Sequence, residues 1–238
     1  MKEPGAAIAA RIGALGRRRA TSDVALFVGG LALYLKTLSP TVYTFDSAEL
    51  AAGAYSLGIV HSTGYPLYLL LVKAFMLVVP WGDMAYRANL FSAVCAALTL
   101  VVLRRVMLLV SDSPGAALAA ALMFGFSYPF WSQAVAAEVY TLHILLVAAM
   151  LRLAFGWRDS GRSRWLVLLG LVFGLGLANH MSTLLLLPGL AFFVWRHRER
   201  HSPPPAVQAL VLAMATLGPL LYLYLPLRYA AGPSLNYA

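Results

Sequence analysis

Eight apolar runs make up most of this chain. They lie at about 24–38, 66–80, 88–110, 115–131, 139–155, 165–179, 181–195 and 206–227. A helix needs about 20 apolar residues to cross the roughly 30 Å hydrocarbon core of a bilayer. Charged residues make up only 11% of the chain, whereas a soluble domain carries about 25%. The sequence therefore predicts an all-α polytopic membrane protein and excludes soluble globular, disordered and collagen-like proteins.

The positions of lysine and arginine decide which runs cross the membrane, because basic residues concentrate in cytoplasmic loops. The run 66–80 is short, is bounded by Pro66 and Pro80 and carries Lys73 at its middle, so we assign it to the membrane interface. With this run excluded, most basic residues fall on the inner side, and near the outer face lie only Lys36, Lys73, Arg87 and Arg228. The sequence therefore predicts seven transmembrane helices and a cytoplasmic N-terminus.

This topology gives the chain two segments and one long outer loop. Residues 1–21 are predicted to form a cytoplasmic basic amphipathic segment, and residues 22–238 a transmembrane module. Residues 39–86 become an outer loop with juxtamembrane helices near 46–57 and 66–80. Long loops that are not disordered are usually functional, so the functional site is predicted on this outer face.

Charge and cysteine content exclude two kinds of partner. The formal net charge is +9, but the cations flank apolar runs, where they orient helices, so no nucleic-acid partner is predicted. Cys95 is the only cysteine and lies within an apolar run, which leaves no disulfide or thiolate metal site. We expect the protein in the bacterial inner (plasma) membrane.

Two carboxylates stand close together in the outer loop, in the segment Asp46-Ser47-Ala48-Glu49. A spacing of three residues puts both on one helical face, about 5–6 Å apart at Cβ. One interpretation is a capping box, with Asp46 as N-cap and Glu49 at the third helical position. The other is a catalytic pair, because the same geometry holds a carboxylate rigidly at a helix start. Spacing alone favours the capping box.

Four further candidate positions lie at the predicted outer face. His61 precedes a Gly-Pro turn, and a lone loop histidine is more often ordinary than functional. Glu138 borders an apolar segment without a cation next to it in sequence, and ionisable groups at membrane depth are often functional. Tyr140 fits an aromatic belt. His180 follows Asn179 between two apolar runs, where a simple turn is the alternative to a site.

In chain order, these motifs resemble a family of polytopic membrane proteins whose eukaryotic relative is a transmembrane protein O-mannosyltransferase, within the GT-C superfamily of glycosyltransferases that use lipid-linked sugars. The resemblance covers about 40–237. It is carried by Asp46-Ser47-Ala48-Glu49-Leu50, Leu57-Gly58-Ile59-Val60-His61, Gly64-Tyr65-Pro66-Leu67-Tyr68, Phe130-Trp131-Ser132-Gln133-Ala134, Glu138-Val139-Tyr140-Thr141-Leu142 and Asn179-His180.

The resemblance implies a seven-helix GT-C-like module whose first outer loop supplies a catalytic acidic residue, here Asp46 or Glu49. Members of the family are generally longer, so we expect this chain to be truncated at its C-terminal end. The implied activity is transfer of a sugar, mannose in the eukaryotic relative, from a polyprenyl-phosphate donor to a hydroxyl of a protein or glycan acceptor on the outer face. The expected substrate-binding residues are His61, Tyr65, Arg87, Glu138, Tyr140, His180 and Arg228.

Mechanistically, we expect Asp46 to accept the proton of the acceptor hydroxyl. Lys73, Arg87 and Arg228 would neutralise the phosphate leaving group. Glu49 and Glu138 are candidate ligands for a divalent cation, Mg²⁺ or Mn²⁺, since hard oxygen ligands suit both. Two alternatives remain: a lipid or solute transporter, disfavoured because no internal repeat is found, and a non-catalytic membrane scaffold.

Overall fold

The computed structural model describes residues 4–43 and 46–237. Within these ranges the protein is helical and has no strand; one isolated parallel bridge joins Ile59 to Asn236. Eleven α-helices follow in order: α1 Pro4–Thr37, α2 Ser47–Ser56, α3 Pro66–Val78, α4 Met84–Ser111, α5 Pro114–Gly125, α6 Tyr128–Ala134, α7 Val139–Ser160, α8 Ser163–Asn179, α9 Leu187–His197, α10 Pro205–Leu220 and α11 Tyr224–Ala230. Two 3₁₀ turns, Met181–Leu186 and Leu221–Leu223, precede α9 and α11.

Three helical segments of the described ranges are long and apolar enough to cross a bilayer: α4, α7 and the continuous stretch Pro205–Ala230. The apolar helices Pro66–Val78, Pro114–Gly125, Ser163–Asn179 and Met181–His197 are shorter. The predicted all-α class is therefore confirmed, and the chain is an integral membrane protein. The presence of seven transmembrane helices stays a prediction.

One predicted span is interrupted. The run 115–131 folds as two helices, α5 and α6, rather than one. The hydroxyl and the amide of Ser127 both donate to the carbonyl of Phe124, which ends α5, and Pro129 stands in the first turn of α6. Because proline lacks the N–H that a continuing helix needs, it starts α6 instead. At 12 residues, α5 is about 18 Å long, shorter than the hydrocarbon core.

The first helix runs through the predicted boundary at residues 21 and 22, because α1 extends unbroken over Pro4–Thr37. The basic side chains predicted in residues 1–19 lie outside the described part of the chain. Asp23 is buried within α1 and pairs with Arg104 at 2.6 Å and Arg105 at 2.8 Å. A buried carboxylate is unfavourable unless a charged partner compensates it. Here the two arginines do so, although they lie 81 and 82 residues away in the sequence.

Helix α4 lies at the centre of the packing. It contacts α1, α5 and α7 along its length, and α2 and α3 at its N-terminal end. Helix α8 joins α7 to α10, and α8 and α10 approach so closely that a side chain at Gly218 would collide with the carbonyl of Gly174. Small residues at such crossings are the usual means by which membrane helices bring their backbones together.

The outer loop carries both predicted juxtamembrane helices, α2 and α3, packed on α4. Tyr68, Leu69 and Val72 of α3 are fully buried in a cluster that includes Phe91 of α4. Asn89 of α4 donates to the carbonyls of Ser39 and Thr41, both at 2.9 Å, which fixes the start of the loop. The loop is therefore a packed part of the fold, and it gives the side chains at its helix ends defined positions.

Candidate active site

The candidate site lies where the outer loop meets α7 and α8. The N-terminal end of α2 contributes Asp46 and Glu49, and the connection between α2 and α3 contributes His61 and Tyr65. The N-terminus of α7 contributes Glu138, Tyr140 and His143, and the α8 C-terminus contributes His180. Seven of the nine sequence-predicted site residues thus come together, and they do so at helix ends.

Asp46 and Glu49 flank the imidazole of His61. Glu49 accepts two hydrogen bonds from this residue: Oε1 from the backbone amide at 2.5 Å and Oε2 from the Nδ1 side at 2.9 Å. Asp46 Oδ2 lies 3.6 Å from Nε2 on the other side of the ring. Asp46 occupies the N-cap position of α2 but makes no side-chain cap hydrogen bond. The capping-box interpretation is therefore wrong, because Glu49 is turned to His61.

The Glu49 contact sets the orientation and tautomer of the imidazole. A carboxylate can only accept, so Nδ1 carries a proton towards Oε2, and Nε2 faces Asp46. A base oriented by a third group is the arrangement that activates hydroxyl nucleophiles in many enzymes. The side chain of Asp46 is 54% exposed whereas that of Glu49 is 19% exposed. Asp46 is thus the freer carboxylate, and Glu49 is committed to His61.

Aromatic rings form one wall of the site. Tyr65 contacts His61 edge-on with ring centroids 5.6 Å apart, and stacks on His180 with centroids 6.0 Å apart. Tyr140 packs on the same imidazole at 5.5 Å. Tyr65 has a left-handed backbone, φ +40°, an uncommon conformation for a tyrosine that recurs at functional sites. The wall therefore presents aromatic ring faces together with polar groups.

Behind this wall lie two polar residues that the sequence analysis did not identify, His143 and Ser182. His180 Nδ1 is 2.8 Å from Ser182 Oγ, which is 3.2 Å from His143 Nε2. The signal for His143 was present, since it lies three residues after Tyr140 and hence on the same face of α7. Ser182 carried no comparable signal, because its role depends on the 3₁₀ turn after His180. This pair fixes the His180 ring.

Glu138 is the most buried carboxylate of the site, at 8% exposure. Its backbone amide donates to Ser92 Oγ at 3.2 Å, which holds it at the start of α7. The pKa of its carboxyl group is raised to about 7, chiefly by burial and also by the nearby charge of Asp46, while His61 opposes both effects. Burial and the same two carboxylates also raise the pKa of Tyr65. Glu138 and Tyr65 therefore lie in one electrostatic environment beside Asp46, and Glu138 keeps its proton to a higher pH than an exposed glutamate does.

The predicted phosphate-binding arginines are placed elsewhere. Arg87 donates to the carbonyls of Met76, Pro80 and Gly82, around the C-terminal end of α3. Arg228 donates to the carbonyls of Ser56 and Leu57 at the end of α2 opposite to Asp46, about 15 Å along that helix. The structure does not bring either guanidinium to the carboxylates, and both hold the ends of the loop helices, where cations are favourable.

A metal centre is not evident among the described residues, since no group of three or more His, Cys, Asp or Glu side chains there is arranged to hold an ion. Both oxygens of Glu49, one of the two candidate ligands, are occupied by His61. What the site presents is an accessible carboxylate, a buried carboxyl group with a raised pKa, an oriented imidazole and an aromatic wall. That set can move a proton and orient a polyhydroxylated ligand.

Comparison with known proteins gives matches over most of the chain. Residues 46–202 match the family model described as the protein O-mannosyl-transferase TMEM260 N-terminal domain. The chain is 31% identical over 210 residues to the protein O-mannosyl-transferase TMEM260 of Mus musculus, which covers 86% of this chain and 30% of the mouse protein. It is 26% identical over 130 residues to the protein O-mannosyl-transferase tmem260 of Dictyostelium discoideum, covering 54% of this chain and 16% of that protein.

The comparisons also show how much of each relative this chain covers. It spans 30% of the length of the mouse relative and 16% of that of the Dictyostelium relative. The family match begins at Asp46, the first described residue of the site, and includes every residue of the site. No solved structure matches the chain.

Proposed function

This chain belongs to the family of the protein O-mannosyl-transferase TMEM260 N-terminal domain, and on that premise we propose that it is a membrane glycosyltransferase module that transfers mannose to an acceptor hydroxyl. The proposal rests on one observation above the others: Asp46, Glu49, His61, Tyr65, Glu138, Tyr140 and His180 meet at one site within the matched range. An accessible carboxylate and a buried carboxyl group with a raised pKa, both near an oriented imidazole, suit proton transfer during glycosyl transfer.

The proposed location of the chemistry is the outer face of the bacterial inner membrane. Seven spans with a cytoplasmic N-terminus leave most basic residues inside and put the site outside. The end of α4 near Met84 and the start of α7 near Val139 then lie on the outer side together with α2 and α3. A polyprenyl-phosphate donor, whose lipid lies in the bilayer, would present its phosphate at the depth of these helix ends.

The proposed reaction is a substitution at the anomeric carbon of mannose. The oxygen of a protein or glycan hydroxyl attacks the anomeric carbon of mannose, and the bond from that carbon to the phosphate oxygen breaks. The hydroxyl proton passes to the Asp46 carboxylate, and the electron pair of the broken bond leaves with the polyprenyl phosphate. Attack opposite the leaving group inverts the anomeric configuration.

We assign the site residues as follows. Asp46 is the general base, because its carboxylate is accessible and lies beside His61. Glu49 is a positioning residue, because both its oxygens hold His61. Glu138 is protonated over part of the neutral range and donates a hydrogen bond to the sugar or to the phosphate. The aromatic wall receives the sugar ring.

The test is transfer by the purified, membrane-reconstituted chain from polyprenyl-phosphate mannose, labelled in the sugar, to a peptide rich in serine and threonine. We expect label on the peptide and release of polyprenyl phosphate, both abolished by Asp46→Asn. Label that remains on the lipid in the folded wild-type chain would contradict the proposal. Label that crosses a sealed proteoliposome without a new bond would support the transporter alternative.

A further inference from the structure

A second polar cavity lies at the membrane face opposite to the candidate active site. It has a volume of about 430 Å³ and opens between α1, α4 and α7. Its charged lining consists of Asp23, Arg104, Arg105, Asp112 and Arg152. The stretch from Met84 to Arg104 covers about 30 Å of α4, the thickness of the hydrocarbon core. The cavity therefore lies at the other interface, on the side of the predicted basic loops.

Positive charge exceeds negative charge in this cavity, by three arginines to two aspartates. Asp23 is already shared between Arg104 and Arg105, and the side chain of Arg105 is still 54% exposed. Arg152 stacks its guanidinium on Trp165, with Cζ 5.2 Å from the ring centroid. This stacking engages the face of the guanidinium and leaves its in-plane N–H donors for a ligand. The cavity thus has an affinity for an anion with several oxygen acceptors, such as a phosphate.

An apolar groove continues from this cavity along the membrane-facing side of the helices. It lies between α1, α4 and α5, has a volume of about 560 Å³, and shares Arg104 with the polar cavity. Along α1 it extends from Ser22 to Tyr34, about 18 Å, close to the roughly 15 Å of one bilayer leaflet. Gly29 and Gly115 both face open space in this groove, because a Cβ at either position would meet no atom within 4 Å.

We propose that the two cavities together bind one anionic phospholipid of the adjacent leaflet, with its phosphate at Arg105 and Arg152 and one acyl chain in the groove. Basic pockets between transmembrane helices on the cytoplasmic side are known to bind anionic lipid head groups. The length of the groove matches one leaflet, which favours a phospholipid over a polyprenyl phosphate. Its distance from Asp46, a full membrane thickness, separates this site from that of the proposed sugar donor.

The experiment measures lipid retention by the purified full chain in detergent, using native mass spectrometry with phosphatidylglycerol and phosphatidylcholine as probes. We expect phosphatidylglycerol to be retained more strongly than phosphatidylcholine. Arg152→Gln should reduce phosphatidylglycerol retention about fivefold, since a basic group near an anionic lipid is worth about 1 kcal/mol. Arg196→Gln, which removes an exposed arginine outside the cavity, is the matched control and should leave retention unchanged.

A second variant tests the groove without touching a charge. Gly29→Leu fills the open space on α1 and should also weaken phosphatidylglycerol retention, whereas Gly189→Leu, at an equally open glycine of α9, should not. Equal retention of the two lipids, or loss in the Arg196 and Gly189 controls alike, would overturn the proposal. Displacement of phosphatidylglycerol by an equimolar amount of polyprenyl phosphate would overturn it in favour of a carrier-lipid site.

Discussion

Glu49 holds His61 at two points, the backbone amide and the imidazole, at 2.5 Å and 2.9 Å. The two residues are separated by 12 positions, from the first turn of α2 to the loop before α3. One carboxylate thus fixes both the path of the loop and the direction of the ring, so that Nε2 faces Asp46. The position of the His61 ring beside Asp46, the proposed base, therefore depends on Glu49, whose own carboxylate need not take part in the chemistry.

Asp46→Asn should abolish transfer by at least about a hundredfold, the usual range for a lost general base, and leave stability nearly unchanged. Asparagine is as good an N-cap as aspartate, and the Asp46 side chain makes no cap hydrogen bond to lose. The measurements are initial transfer rate and thermal unfolding of the same preparation. A variant with wild-type transfer would remove Asp46 from the mechanism.

Glu49→Gln should lower both stability and transfer, since the amide has no charge and can accept only one of the two hydrogen bonds from His61; a charge-assisted bond is worth about 1.5–3 kcal/mol. Asp83→Asn is the control. Asp83 accepts bonds from the amide of Tyr86 and the hydroxyl of Thr41, which hold its pKa below the usual range, and it lies outside the site. The control should lose stability and keep the transfer rate per folded molecule. A Glu49 variant that behaves in the same way would reduce Glu49 to a structural role.

Glu138 should make stability depend on pH. Its pKa is about 7 in the folded chain and about 4.5 when unfolded, so the folded state keeps a proton that the unfolded state releases between these values. The free energy of unfolding should therefore fall as pH rises from about 4.5 to 7, by about 3 kcal/mol in total. Glu138→Gln should remove this component, measured by thermal unfolding at several pH values. Identical slopes for wild type and variant would contradict the assignment.

Arg87→Lys should cost about 1–2 kcal/mol of stability, because a lysine cannot reach the carbonyls of Met76, Pro80 and Gly82 together. The transfer rate per folded molecule should stay close to that of the wild type. Unfolding by denaturant and a transfer assay at a temperature where both proteins are folded would measure the two effects. Lost transfer at wild-type stability would restore the phosphate-binding role expected from the sequence.

The seven-span topology predicts opposite sides for Trp81 and Glu199. Each position is changed to cysteine in a Cys95→Ala background and treated with an impermeant thiol reagent. The reagent should label Trp81→Cys in intact cells, and Glu199→Cys only after lysis. Trp81 is chosen over its neighbour Gly82, whose φ of +81° disfavours any side chain, and is 62% exposed. Labelling of Trp81→Cys only after lysis would exclude the proposed location of the site.

The helices of the outer loop were predictable because local signals bound them. Prolines at 66 and 80 frame α3, and the spacing of Asp46 and Glu49 marks the start of α2. Contacts between distant residues were not predictable. The spacing that favoured a capping box is present, but the competing partner of Glu49, His61, is visible only once the α2–α3 connection is folded. The partners of Arg87 and Arg228 are backbone carbonyls, which leave no mark in a sequence.

The bridge between Ile59 and Asn236 has a consequence for the order of assembly during synthesis. The amide of Ile59 donates to Leu235 and that of Tyr237 to Ile59, while Tyr224 donates to Gly58. About 177 residues separate Ile59 from its bridge partner, so at 5–20 residues per second the ribosome delivers that partner roughly 10–35 s later. The loop that carries His61 gains its backbone partner only when the helices in between are already made. The proposed transfer activity would therefore begin only after the intervening helices have been synthesised.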